Sequence, residues 1–145
     1  GILNLIETKG FKSDEKWIAR RLGLDNHTVN IAIARLLRSG LLKLTKGKLQ
    51  RTLKNLDTTD DIASSAIRQS HLSDLELSKK SIENDPIDIR YVTSITLPTN
   101  TAKFNQAKEL IRSFRDQMSQ LVEDENADEV YNLNIQFIPL TKKES

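Results

Sequence analysis

Glycine punctuates the first third of this 145-residue chain and is absent from the rest. The five glycines are Gly1, Gly10, Gly23, Gly40 and Gly47. Between them, apolar residues recur at helical spacing, and glycine commonly ends helices because it adopts a left-handed backbone without penalty. The pattern predicts short helices with tight turns up to residue 47. The later region has no glycine loop of the kind that cradles a phosphate or dinucleotide.

Three short helices are predicted before residue 40. The first is N-terminal. The second is capped by Ser13 and ends at Gly23. The third begins at Asp25 or Asn26 and ends at Gly40. A small residue in the second helix and a glycine in the turn allow the tight crossing of a helix-turn-helix.

A basic hairpin is predicted after the third helix. Short strands over 41–45 and 49–53 flank Lys46-Gly47-Lys48, a turn that contains glycine. Five cations lie along the hairpin and its exit: Lys43, Lys46, Lys48, Arg51 and Lys54. A hairpin beside a recognition helix is the wing of a winged helix, where it can contact phosphates.

The outward face of the third helix is the first candidate functional surface. With Val29 and Ile33 inward, its polar side chains are free to meet base edges or phosphates, and those near its N-terminus can hold a phosphate. The candidate DNA-binding residues are His27, Thr28, Asn30, Arg35, Arg38, Lys46, Lys48 and Arg51. Ile31 and Ala34 are apolar within the same face. Either they meet thymine methyl groups, or the helix packs on another protein.

Charge also differs between the first third of the chain and the rest. Residues 1–55 hold twelve Lys or Arg against four Asp or Glu, whereas residues 56–145 hold ten against sixteen. The net charge of +2 is the sum of these opposite balances. This asymmetry indicates that the first part meets a polyanion and the second does something else.

A second domain of different architecture is predicted over residues 57–145, after a winged helix over 1–56. A polar connector at 56–61 leads into a helix from about Ile62 to Asn84. Alternating apolar residues predict strands over 89–97 and 131–137, and a long amphipathic helix over 100–124 separates them. This αβαβ order implies a small parallel two-stranded sheet with helices on one face.

Two parallel strands alone bury too little and leave both edges open. A second copy of the chain that completes or covers the sheet is the expected remedy. Pairing with a strand from elsewhere in a longer protein is the competing one, because the chain starts with glycine directly before a helical pattern and is expected to begin inside a longer protein.

A second candidate set, for a ligand or an interface, lies in this domain: His71, Arg90, Asn132, Asn134 and Gln136. His71 falls on the predicted inward stripe of its helix, where a histidine is either a hydrogen-bonded structural residue or a ligand or proton sensor. The polar face of the strands either is solvated, or lines a pocket or dimer interface.

Composition limits the chemistry. The chain has no cysteine and only two histidines, on different predicted domains, so no metal site, cofactor or catalytic residue is predicted. We expect a protein that is not an enzyme. No apolar run reaches about 18 residues and no secretory signal is visible, so a cytoplasmic location without membrane contact is expected.

Three segments carry a family resemblance: residues 130–141, residues 65–71 and residues 109–115. Together with Trp17-Ile18-Ala19-Arg20-Arg21-Leu22-Gly23, they resemble an uncharacterised bacterial family of transcriptional regulators. The family is expanded as paralogues in fibre-degrading and predatory bacteria, and its C-terminal region is catalogued as a domain of unknown function. The resemblance implies a cytoplasmic regulator, usually with a further N-terminal helical segment that could itself bind DNA. It supplies no catalytic or ligand residues.

The sequence therefore predicts an α+β protein in which a winged helix-turn-helix binds double-stranded DNA. The αβαβ module is expected to form a homodimer and to respond to a small-molecule or protein effector. The alternative is a protein-interaction or dimerisation scaffold of a regulator whose DNA-binding segment lies upstream. In that alternative, Ile31 and Ala34 mark the docking face.

Overall fold

The structure is a computed structural model that describes residues 1–52 and 65–144. The chain forms two compact units. The N-terminal unit comprises residues 1–52 and 123–131 of the described part, and the C-terminal unit comprises residues 65–122 and 132–144. The predicted connector at 56–61, the helix start near Ile62, the domain boundary at 56/57 and Lys54 lie outside the described residues.

The N-terminal unit contains three helices followed by a hairpin. The helices are α1 (Ile2–Leu5), α2 (Glu15–Leu22) and α3 (Asn26–Arg38). Strands β1 (Leu42–Thr45) and β2 (Lys48–Arg51) pair antiparallel, with Leu42 opposite Arg51 and Thr45 opposite Lys48. The three helices and the hairpin predicted for this region are present.

Glycine and aspartate set the ends of α2 and α3, as their positions in the sequence predict. Gly23 is left-handed with φ 66°, and the Leu24 N–H donates back to the Ala19 carbonyl at 2.9 Å. Gly40 has φ 79° and the next N–H likewise closes on the last turn of α3. The prediction for the start of α2 is wrong by one residue. Asp14 is the cap and accepts from the Lys16 N–H, whereas the Ser13 hydroxyl accepts from Leu49 N–H of β2 at 3.0 Å.

A two-residue turn joins the strands of the hairpin. Lys46 and Gly47 have φ values of 53° and 76°, and both are therefore left-handed. A turn with two left-handed residues matches the right-handed twist of a hairpin. It directs the loop away from β1 and β2, so that Lys46 and Lys48 are exposed.

The core of the N-terminal unit lies among α1, α2, α3 and the hairpin. Ile18 and Val29 are fully buried at its centre. Around them pack the buried residues Ile2, Leu5, Ala19, Ile33, Leu42 and Leu49. Burying one such aliphatic side chain contributes about 1.5–3 kcal/mol, so this cluster is the main source of stability in the unit. Trp17 packs against its edge and meets Phe11 edge-to-face at 5.6 Å.

The C-terminal unit contains helices α4 (Ser65–Asn84) and α5 (Phe104–Val122), the second preceded by a single 3-10 turn, Thr101–Lys103. The parallel sheet predicted here is not found. Residues 89–97 and 131–137 pair with no strand in the described part of the chain, whose two strands are antiparallel and belong to the N-terminal unit. Alternation of apolar residues predicts a strand-forming segment, but it does not supply the partner strand that a sheet needs.

Candidate nucleic-acid interface

Helix α3 has one buried side and one exposed side. Val29 and Ile33 are buried, and Leu36 and Leu37 are half-buried, as their spacing predicts. All the outward residues of the prediction are exposed: His27, Thr28, Asn30, Ile31, Ala34, Arg35 and Arg38. A face of this width, with amide and guanidinium groups, can present hydrogen-bond donors to base edges or phosphates.

Four cations of the candidate set are exposed and take part in no ion pair within the described residues: Arg35, Arg38, Lys46 and Lys48. A cation already held by a carboxylate must give up that contact before it meets a phosphate. These four are not constrained in that way, and they lie on α3 and on the hairpin that follows it directly.

Arg51 differs from the other candidate cations. Its Nη1 donates to Glu7 Oε1 at 2.9 Å, and its side chain is only 33% exposed. This pair joins the end of β2 to the segment after α1. Arg51 is therefore engaged in holding the unit together and is less available for a phosphate than the sequence suggests.

The N-terminus of α3 is already occupied by a carboxylate. Asp25 Oδ1 accepts from the Thr28 N–H at 2.6 Å. The hydrogen bonds from the backbone and side chain of Thr28 hold the pKa of the Asp25 carboxyl below its usual range. An anion bound there would compete for the same N–H and would be repelled by Asp25. The geometry thus disfavours phosphate binding at Thr28, while His27 remains exposed beside it.

Two exposed cations of α2 were not among the predicted site residues. Lys16 and Arg20 line an open concavity of about 480 Å³ at the junction of α2 and α3, together with Asp25 and Asn26. The two are four residues apart, so they lie on one face of α2. That spacing, next to the turn at Gly23, is the signal in the sequence that could have identified them.

An acidic segment, residues 123–131, packs on the N-terminal unit. The Lys9 N–H donates to the Ala127 carbonyl at 2.7 Å, and Val130 packs against the core. Arg21 donates to the Asp128 carbonyl at 2.9 Å and pairs with Glu129 at 3.3 Å, while its guanidinium lies 5.8 Å from the centre of the Trp17 ring. The sequence predicted only the end of the long amphipathic helix near residue 124 and did not indicate this contact.

The second candidate set is not gathered into one site. His71 is exposed, so its predicted inward position is wrong, and Asn132 and Gln136 are exposed as well. Arg90 Nε donates to the Asp85 carbonyl at 3.0 Å and closes the turn after α4.

Asn134 is the member of this set whose side chain bonds to α4, and it is half-buried there. Its Nδ2 donates to the Asp74 carbonyl at 3.1 Å and to Ser78 Oγ at 3.0 Å. The side chain of Asn134 thus fastens the last segment of the chain to α4.

The described residues contain no group of three or more His, Asp or Glu side chains placed to hold a metal ion. Within the same ranges, no helix is both long enough and apolar enough to cross a membrane.

Fold and surface together define a mixed helix-and-sheet protein with a small antiparallel hairpin and with exposed cations on α3 and on the hairpin of its N-terminal unit. The chain belongs to the family described as Domain of unknown function (DUF4423), whose model matches residues 1–140. The match confirms that the chain belongs to an uncharacterised family with a domain of unknown function. The matched residues cover both units, whereas the resemblance assigned that domain to the C-terminal region alone. No curated protein and no solved structure matches the chain.

Proposed function

We propose that this protein is a transcriptional regulator whose N-terminal unit is a winged helix that binds double-stranded DNA. In this proposal α3 enters the major groove and the hairpin lies on the phosphate backbone. The C-terminal unit serves dimerisation or effector sensing. The observation that carries the proposal is that four cations of α3 and the hairpin are exposed and form no ion pair with any residue that the structure describes: Arg35, Arg38, Lys46 and Lys48.

Each element has a distinct role in the proposed complex. We assign base reading to Asn30 and Arg35, since an amide suits adenine and a guanidinium suits guanine. We assign phosphate contacts to Lys46 and Lys48, and such contacts fix the position of the protein without reading sequence. Lys16 and Arg20 of α2 lie beside Asp25 in the concavity at the turn, and they are assigned no DNA contact.

Charge reversal on the hairpin tests the proposal. We expect Lys46→Glu with Lys48→Glu to weaken binding to a random 20-base-pair duplex about tenfold or more at low salt, because two phosphate contacts are lost. Fluorescence anisotropy of a labelled duplex measures this, and circular dichroism verifies the fold.

A matched control is Lys79→Glu with Lys80→Glu on α4, where both lysines are exposed and the change in net charge is identical. Its affinity should stay within about threefold of the unmodified protein, because neither lysine belongs to the proposed contact and salt screens the charge of exposed residues outside it. Equal losses in both double variants would show that affinity follows net charge alone and would refute the hairpin contact.

The alternative function, a protein-docking scaffold, is supported by one observation. Ile31 is 39% exposed in the middle of the α3 face, and Ala34 is exposed beside it. Under this alternative, Ile31→Glu removes a partner contact and the hairpin charge reversal has no effect. The DNA titration therefore separates the two functions.

A further inference from the structure

The C-terminal unit contains two chain segments that make no backbone hydrogen bond to any described residue. These segments are residues 91–98 and residues 132–139. Neither contains a turn or a bend over its length. Both are rich in the β-branched and aromatic residues that favour strands. Each segment therefore has the composition and the extended backbone of a β-strand but has no partner strand.

The same segments expose their apolar side chains. Tyr91 is 89% exposed, Ile95 82% and Leu133 50%. On α5, Leu110 and Leu121 are 74% and 78% exposed. No described residue of the C-terminal unit is buried. A unit of this kind has not covered its own apolar surface, and a monomeric soluble domain rarely leaves such a patch open.

The surface area indicates how much remains to be covered. The accessible surface is 12682 Å². Two separate compact units of half the mass would expose about 9,000 Å² together, which leaves a surplus of roughly 3,500 Å². The surplus exceeds the ~2,000 Å² that the thirteen residues outside the described part would expose in a fully extended chain. Each side of a stable dimer interface needs only about 800 Å².

Charge indicates which partner fits. The stretches 91–102 and 130–141 contain no Asp, Glu, Lys or Arg, although charged residues make up 29% of the chain. Natural edge strands usually carry charges that prevent pairing with another copy. Two copies can meet along these stretches without opposing like charges. DNA, by contrast, would find no cation there.

We propose that a second copy of this chain is the partner, and that residues 91–98 and 132–139 of the two copies form one shared sheet. Pairing satisfies the backbone groups of both segments, and it brings apolar side chains on the same face of neighbouring strands into contact. The contact has two-fold symmetry, because each copy contributes the same segments. Such a contact forms a dimer and leaves no free segment for a third copy. This dimer rests on the dimerisation role proposed above for the C-terminal unit and identifies its partner. It does not depend on DNA binding by the N-terminal unit.

Two measurements on the purified protein, without DNA, test this inference. Light scattering after size exclusion should give twice the chain mass of 16.5 kDa. Amide hydrogen exchange should show residues 91–98 and 132–139 exchanging about 100-fold more slowly than unpaired amides. A monomer, a dimer in which these amides exchange freely, or an open-ended series of oligomers would each overturn the proposal.

Adjacent substitutions provide the matched control. Side chains alternate across a strand, so Ile95→Lys puts a charge on the apolar face and Thr96→Lys puts the same charge on the polar face. We expect Ile95→Lys to be monomeric with fast exchange over 91–98, and Thr96→Lys to remain dimeric. Helical circular dichroism and Trp17 fluorescence verify that both fold. If the two substitutions had the same effect, the proposed pairing of residues 91–98 between copies would be contradicted.

Discussion

Asp25 is the residue on which the geometry of the α3 N-terminus depends. Its carboxylate accepts from the Thr28 N–H and satisfies one of the donors that every helix start leaves open. The same contact lowers the pKa of the carboxyl, because hydrogen bonds to the charged form favour that form. Folding of α3 and ionisation of Asp25 are therefore linked.

This linkage predicts a pH dependence. A carboxyl whose pKa is lower in the folded state stabilises the fold above the unfolded pKa and loses that effect as pH falls through the folded pKa. We expect the stability difference between the unmodified protein and Asp25→Asn to be present at pH 7, to shrink as pH falls below about 4, the ordinary pKa of an aspartate, and to be lost below the lowered pKa of the folded state. Urea unfolding followed by the fluorescence of Trp17, the single tryptophan, measures it.

Asp88→Asn is the control for this measurement, since it removes the same charge from an exposed turn in the C-terminal unit. It should leave the Trp17 transition unchanged at every pH. A difference for Asp25→Asn that stays constant from pH 7 to pH 2 would contradict the assignment of the linkage to this carboxyl.

At the scale of elements, the ends of α2 and α3 and the turn of the hairpin could be predicted because their causes are local. Gly23, Asp25 and Gly47 each act within a few residues of their own position. The pairing of residues 89–97 with 131–137 in a parallel sheet was predicted wrongly, because a strand is completed by a neighbour that the local pattern does not specify. His71 failed for a similar reason: its spacing assigns it to a helix face, but what covers that face is decided elsewhere in the fold.

Asn134 shows how an element is held by one side chain. It was predicted on a polar face, yet its amide reaches both the Asp74 carbonyl and Ser78 Oγ. We expect Asn134→Ala to destabilise the attachment to α4 by about 1 kcal/mol, the usual net contribution of such hydrogen bonds. Amide exchange over residues 74–78 measures the change.

The paired variant is Asn132→Ala, two residues earlier on an exposed side chain of the same type. Its effect should be within about 0.5 kcal/mol, as for most surface substitutions. If the two variants raised exchange on α4 equally, the hydrogen bonds of Asn134 would not be what holds this segment.

At the scale of the whole molecule, charge is distributed differently in the fold than along the sequence. The first 55 residues carry a balance of +8, but the acidic segment 123–131 contributes five carboxylates and no cation to the same unit. Its contacts with Lys9 and Arg21 join residues more than a hundred positions apart. No local sequence motif predicts such a long-range contact. The sequence alone therefore overestimated the net positive charge of the N-terminal unit.

The exposed cations relevant to the proposed DNA contact therefore lie on α3 and the hairpin. The N-terminal unit as a whole is less basic than its first 55 residues suggest. Arg35, Arg38, Lys46 and Lys48 keep their charges exposed while Arg21 and Arg51 are paired with carboxylates. If the four meet phosphates, binding must respond to salt as counterions are released.

The salt dependence of DNA binding tests this account most directly. Anisotropy titrations of the unmodified protein on a random duplex, from 50 to 200 mM salt, give the slope of log affinity against log salt concentration. Four phosphate contacts per chain predict a slope of about −3.6. A slope near zero, or no binding at 50 mM salt, would contradict the assignment of the N-terminal unit to DNA.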